Sequence, residues 1–207
     1  MSSHACVTIR AAIASRMRSI LLFVLLLTAL PFPSAAQQAG AAKSMAGLVE
    51  VSADLNGDGV KERAVLLYDR ESHDVDLAIY SSADGKLQDQ PSVYVASLGW
   101  TGNTEGSTPE MTVDDAGSLI VVFRNEAAGR YRWRQQFTIA FRAGSYVVVG
   151  YSYVNKDTLT PDQGGACSVD FLSGEGTRDG KPVKVPELAP FLSTWSEESI
   201  PTVCTFF

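Results

Sequence analysis

The chain has 207 residues, with 23 acidic against 17 basic side chains and a formal net charge of −6. That length is enough for one domain with a substantial core. The acidic balance repels phosphate backbones and argues against nucleic acid as the main partner, while remaining compatible with cation binding.

Taken in chain order, residues 1–36 read as a cleavable signal peptide. Arg10, Arg16 and Arg18 precede the apolar run 20–30. Pro31 and Pro33 follow, and then the small residues Ser34, Ala35 and Ala36. This is the charged, apolar and small-residue order of a secretory signal. A spanning helix needs about 20 apolar residues, so no membrane insertion is expected after cleavage. Met17 offers a second possible start, giving a shorter signal of the same kind. All 23 acidic residues but only 14 of the 17 basic ones lie beyond residue 36, so the mature charge is −9. Residues 37–46, rich in Ala, Gly and Gln, are expected to form a flexible leader, and 47–207 a single β-rich domain.

From residue 47 the pattern is short β-type runs broken by turn chemistry. Runs at 48–53 and 63–68 flank an acidic loop, and 74–80, 92–98, 111–113 and 118–123 follow. Turns are expected at 83–86 and 114–117, where Asp-Gly and Asp-Asp-Ala-Gly suit hairpins. Between them, Trp100 in Gly-Trp-Thr-Gly is the loop aromatic expected to be exposed, and it is a candidate ligand contact.

The clearest pair spans 130–153. Tyr131, Trp133, Phe137, Ile139 and Phe141 alternate with Arg130, Arg132, Arg134, Gln136 and Thr138, so one face is expected in the core and one in water. The Arg130/Arg132/Arg134 stripe is a second candidate ligand contact. Its competing explanation is pairing with acidic residues of neighbouring strands. A strand is expected at 167–172 and a turn at 178–181. The Pro-rich tail is expected to be loop, with a short helical turn near 191–195. No sustained apolar period of 3.6 appears, which argues against a helical bundle. The expected fold is all-β: an antiparallel β-sandwich or open barrel of about eight to ten short strands, with little helix.

Two features carry chemistry. Cys167 and Cys204 are the only cysteines outside the signal; in an exported chain such a pair reads as a disulfide. In the acidic loop, Asp54, Asn56, Asp58 and Glu62 stand at positions 1, 3, 5 and 9. Gly59 takes position 6, where a sharp turn is needed, and the Val60 carbonyl can supply position 7. Calcium takes six to eight oxygens, and alternate residues of a tight loop can direct theirs to one centre. Position 12 is Val65, so the loop is not an EF-hand. The simpler alternative is that Asn56-Gly57 and Asp58-Gly59 merely turn a hairpin.

The loop resembles those of FG-GAP and VCBS-type extracellular repeats, over roughly 51–67. That resemblance implies Asp54, Asn56, Asp58 and Glu62 as calcium ligands, with Glu62 in place of the more usual aspartate. Those families repeat the motif around a propeller, whereas this chain has one copy. The stretch 130–159, with 167–178, resembles exported bacterial proteins of unassigned function.

His73 is the one histidine beyond the signal, set in a polar turn, and it is expected to be solvated rather than part of a nucleophilic triad. Asp114/Asp115 read as turn, and Glu197/Glu198 as solvated tail. The expected function is an exported calcium-stabilised binding or interaction module of the bacterial envelope, periplasmic or secreted. Its calcium is structural and its partner an unidentified protein or glycan. The alternative is a carboxylate-dependent hydrolase acting on an extracellular polymer.

Overall fold

A computed structural model describes residues 45–102 and 104–206. Residues 1–44, on which the expected signal peptide and most of the expected leader fall, lie outside the described residues. Thirteen strands are found among the described residues, with 3-10 turns between some of them. Strand β1 (Met45–Ala53), β2 (Glu62–Asp69) and β3 (Asp74–Tyr80) follow one another. A small hairpin of β4 (Ser82–Ala83) and β5 (Lys86–Leu87) precedes β6 (Val93–Trp100). The larger sheet comprises β7 (Glu110–Val113), β8 (Leu119–Asn125), β9 (Tyr131–Arg142) and β10 (Ser145–Asp157). It continues through β11 (Gly165–Asp170), β12 (Glu175–Arg178) and β13 (Lys181–Lys184).

Besides the β4-β5 hairpin, two larger antiparallel sheets result, in the order β1-β2-β3-β6 and β7 through β13 consecutively. Alternation decides what each turns inward. The smaller sheet supplies Ala64, Leu66, Val75, Leu77, Ile79 and Val95 to the core, and the larger supplies Val121, Phe123, Phe137, Ile139 and Val148. These residues form one apolar cluster, which makes the fold a β-sandwich. Phe123 and Phe137 are fully buried and meet edge to face, with ring centroids 6.1 Å apart. Each such side chain contributes roughly 1.5–3 kcal/mol by burial alone.

Two bulges re-aim side chains. Between Val148 and Gly150 the register of β10 against β9 shifts by one residue. Tyr146 and Val148 face the core before the shift, and Tyr151 after it. In β6, Gly99 opposes Val75 but Val95 opposes Leu77, so two extra residues are absorbed around Ser97, which has φ +50°. The displaced strand runs on to Trp100, and Gly99 comes so close to Phe123 that a Cβ there would lie 2.4 Å from its ring.

The tail seals one end of the sandwich. Cys204 is bonded to Cys167 on β11 across a sequence separation of 37. Leu192 and Trp195 pack into the same core cluster. Arg178 reinforces the join, donating to the carbonyl oxygens of Val203 at 3.1 Å and Thr205 at 3.3 Å while lying 4.6 Å over the Phe206 ring. Beyond the end of β11, the Val148 N–H finds the Pro190 carbonyl at 2.9 Å, so the tail continues the edge of β10.

Several expectations need correction. Strands β9 and β10 have 12 and 13 residues and are not short, because the bulge at Val148/Gly150 lets their pairing continue past the break in alternation. The strand count exceeds ten because the short polar pairs β4–β5 and β12–β13, which carry no apolar alternation, also form ladders. Met45 and Ala46, placed in the expected leader, belong to β1 and pair with Asp69 and Tyr68. Tyr131 is 61% exposed rather than in the core; it sits at the open end of the hairpin, with Arg130 over its ring at 5.5 Å. Among the described residues no helix is long and apolar enough to cross a membrane.

Candidate functional site

The acidic loop joins β1 to β2. Its two glycines, Gly57 at φ +81° and Gly59 at φ +86°, supply the left-handed backbone that curls it. Main-chain N–H groups then point at its own side chains. Asp54 accepts from Gly57 at 2.7 Å and Gly59 at 2.9 Å, Asn56 Oδ1 from Asp58 at 2.8 Å, and Asp58 Oδ1 from Val60 at 2.7 Å. These nested Asx turns are local chemistry of Asp and Asn.

Glu62 does something different. It begins β2 on the core side and is fully buried, with Oε2 accepting the Leu55 N–H at 2.9 Å. Its Oε1 takes the Asn56 amide at 3.0 Å, and the same amide reaches Asp58 Oδ2 at 3.1 Å. Side-chain oxygens of Asp58 and Glu62 therefore converge on one point, which the Asn56 NH2 spans. Leu55 is 5% exposed and belongs to the main core, so the loop is anchored from within. No group of three His, Cys, Asp or Glu side chains stands in metal-ligating array among the described residues.

Across from the loop, Tyr146 on β10 is 6% exposed and its hydroxyl has no hydrogen-bond partner among the described residues. Burial raises the pKa of that hydroxyl, and the charges of Glu62, Asp58 and Asp54 raise it further. The β7–β8 turn closes the same end: a Cβ on Gly117 would lie 3.7 Å from the Asp54 carbonyl oxygen. Sequence reasoning missed Tyr146, because a tyrosine in a Val-rich strand carries no sign of what lies across the core.

The arginine stripe divides. Arg130 donates Nε to Asp157 at 2.6 Å and pairs with it through the other nitrogen as well, so its role is to close the mouth of the β9–β10 hairpin. Arg132 donates to the Gly129 carbonyl at 2.6 Å. Arg132 and Arg134 line a shallow groove of about 490 Å³ with Lys156 and Glu126. Pairing with a neighbouring strand's acid thus holds for Arg130.

Trp100 is not a loop residue. It ends β6, is half-buried, and packs against Trp133 on β9 with centroids 6.0 Å apart. His73, expected to be solvated, is half-buried beside it at 6.3 Å and bonds Tyr68 through Nδ1 at 3.0 Å. Trp100 and Trp133 form part of a groove of about 410 Å³, where Trp195 and Tyr153 also contribute and the carboxylates of Asp74 and Glu197 stand. The other carboxylate pair behaves as a turn, with Asp114 Oδ1 accepting from Ala116 at 2.9 Å and Ser118 at 2.8 Å.

Comparison with protein-family models, curated proteins and solved structures finds no match for this chain.

Proposed function

We propose that the chain is an exported, calcium-stabilised binding module of the bacterial envelope, periplasmic or secreted, acting on a protein or glycan partner. The observation that supports the calcium reading is that Asp58 Oδ2 and Glu62 Oε1 meet at the Asn56 side chain, near the buried Tyr146 hydroxyl that has no hydrogen-bond partner among the described residues. The donor set of Asp54, Asn56, Asp58, Glu62 and the Val60 carbonyl is all oxygen, which suits a hard cation. When bound, the ion supplies positive charge that offsets three clustered carboxylates and fixes the β1–β2 connection. With its oxygens spent on the ion and its backbone on Asx turns, the loop has a structural role. A melting curve with calcium and with chelator tests this. Calcium raises the melting temperature, magnesium does less because it gives up water reluctantly, and Asp58→Ala removes the effect while Lys61→Ala keeps it. A curve indifferent to chelator would leave the loop a hairpin turn only. Export is tested separately: N-terminal sequencing of the exported protein begins at Gln37 or within about two residues of it.

A second reading, a hydrolase acting on an extracellular polymer, draws on Asp74 and Glu197 lining the tryptophan groove. Two carboxyls held across a cleft are what sugar hydrolysis requires. Release of reducing ends from a polysaccharide, lost in Glu197→Gln, tests it.

A further inference from the structure

All three tryptophans of the chain line a single groove. They come from distant stretches: Trp100 from β6 of the smaller sheet, Trp133 from β9 of the larger, and Trp195 from the tail. A core needs large aromatics inside, but Trp100 and Trp133 are only half-buried, and about 410 Å³ of open space lies against them. That volume is within the range of small-molecule and short-oligomer sites.

The chemistry of the walls limits what fits. Apolar surface comes from the half-buried indoles of Trp100 and Trp133, with a smaller share from Trp195, which is 8% exposed, and from Tyr153, which stacks on Phe206. Hydrogen-bonding groups stand among them as Gln135, Asp74 and Glu197. Gln135 is held in place by donating its amide to the Tyr151 hydroxyl at 3.0 Å. Among the described residues no lysine or arginine lines the groove, so an anionic ligand would meet two carboxylates uncompensated. A quaternary ammonium would suit the charge, but it needs rings closed around one centre within about 6 Å. The indoles are not arranged that way. Trp100 contacts Trp133 at 57°, whereas the ring contacts of Trp195 run to Phe137 and Tyr151 in the core. The open aromatic surface is thus the Trp100–Trp133 pair and not a cage, which leaves room for an extended ligand. A pyranose chain has what matches: apolar C–H faces for the rings, and hydroxyls at its edges for the carboxylates and the amide.

We propose that the groove between Trp100, Trp133 and Trp195 binds a neutral oligosaccharide. This names the ligand class of the binding module proposed above and rests on that reading. Since every tryptophan lines the groove, intrinsic tryptophan emission reports on this site alone.

The experiment titrates the folded protein, in calcium, with a β-1,4-linked glucose tetramer, an N-acetylglucosamine tetramer and tetramethylammonium chloride. Saturable change in emission is expected with at least one oligosaccharide. Trp100→Ala is expected to weaken that binding about tenfold, from the lost apolar contact. Because Trp100→Ala also removes the contact between β6 and Trp133, Glu197→Gln, an exposed change on the tail, is the second variant, and it weakens binding several-fold with an unchanged melting curve. Saturation by tetramethylammonium with no response to either sugar overturns the proposal in favour of a cation site. Silence of all three ligands, in protein whose melting temperature still rises with calcium, overturns the ligand assignment and leaves the calcium reading intact. Sugar binding in protein indifferent to calcium does the reverse.

Discussion

At the mouth of the β9–β10 hairpin the Asp157 side chain is 3% exposed. Besides Arg130 it accepts the Leu159 N–H at 2.9 Å and the Thr160 hydroxyl at 2.8 Å. The hydrogen bond from Arg130 leads these in holding the Asp157 carboxyl well below its ordinary value of 3.8. A depressed carboxyl stabilises the fold at every pH above its unfolded value, and that contribution is lost as pH falls through the folded one. Asp157→Asn should therefore lower the melting temperature by a constant amount from neutral pH down to about pH 4, and the gap should close only below that. Melting curves of both proteins across that range check it. Tyr146 gives a prediction of opposite sign in two states. A buried hydroxyl without a partner costs about 1–3 kcal/mol, so Tyr146→Phe should leave the calcium-free melting temperature unchanged or raise it. If the hydroxyl serves the ion's surroundings, the same change should reduce the rise that calcium produces. Gly99 is simpler. Phe123 is fully buried and cannot retreat from a Cβ 2.4 Å away, so Gly99→Ala should cost about 1–3 kcal/mol as overpacking. Thermal unfolding should then begin several degrees lower.

Among the elements, those with an apolar alternation were legible in the sequence, and those without one were not. The run 74–80 appears with the bounds expected of it, because Val75, Leu77 and Ile79 on one face leave little choice of register. The turn at 178–181 was legible too, yet β12 and β13 beside it were not. Glu-Gly-Thr-Arg and Lys-Pro-Val-Lys offer no buried face, and Pro182 is tolerated because β13 is the edge of its sheet. The tail was read as loop with a short turn, which matches Leu192–Thr194. Its work in closing the core depends on long-range contacts that spacing does not encode. Gly165 shows how tightly it is seated, since a Cβ there would fall 2.1 Å from the Phe206 ring. The disulfide should govern this element. A loop closed over 37 residues is worth about 4 kcal/mol in the chain-entropy account, which in a domain this size is on the order of ten degrees of melting temperature. Reduction, or Cys204→Ser, should lower the midpoint by that order. It should also move tryptophan emission to longer wavelength in the still-folded protein, because Trp195 rides on the released tail. Quantitative alkylation of native protein without reductant would contradict the bridge.

On the scale of the whole molecule, the sandwich is fastened at two places by different chemistry. The acidic loop ties β1 to β2, with Leu55 in the core and Glu62 buried beneath it, while the disulfide ties β11 to the tail. The loop's turn was legible because Asx chemistry is local; of the expected ligands, Asp58 and Glu62 meet at the Asn56 amide, while Asp54 accepts the Gly57 and Gly59 N–H groups. The groove was not legible, since Trp100, Trp133 and Trp195 carry no joint signal along the chain and meet only when both sheets and the tail are in place. Trp100 was singled out as a loop aromatic; the β6 bulge that extends the strand to it could not be anticipated from Ser97. The two fastenings share no hydrogen-bond partner, so their contributions to stability should add. In the presence of calcium, Asp58→Ala and Cys204→Ser should each lower the stability, and the double variant should show the sum within about 0.5 kcal/mol. Extracellular calcium sites have dissociation constants near 10⁻⁴–10⁻³ M. At a calcium concentration about a hundredfold above such a constant the ion adds roughly 2.7 kcal/mol, and near the constant only a few tenths. The cycle must therefore be run at several calcium concentrations, by chemical denaturation of all four proteins. Additivity at each one is expected. A coupling of more than about 1 kcal/mol that grows with calcium would mean that loop and tail act on one another through the core, with Tyr146 and Trp195 packed in the same apolar cluster as the physical route between them.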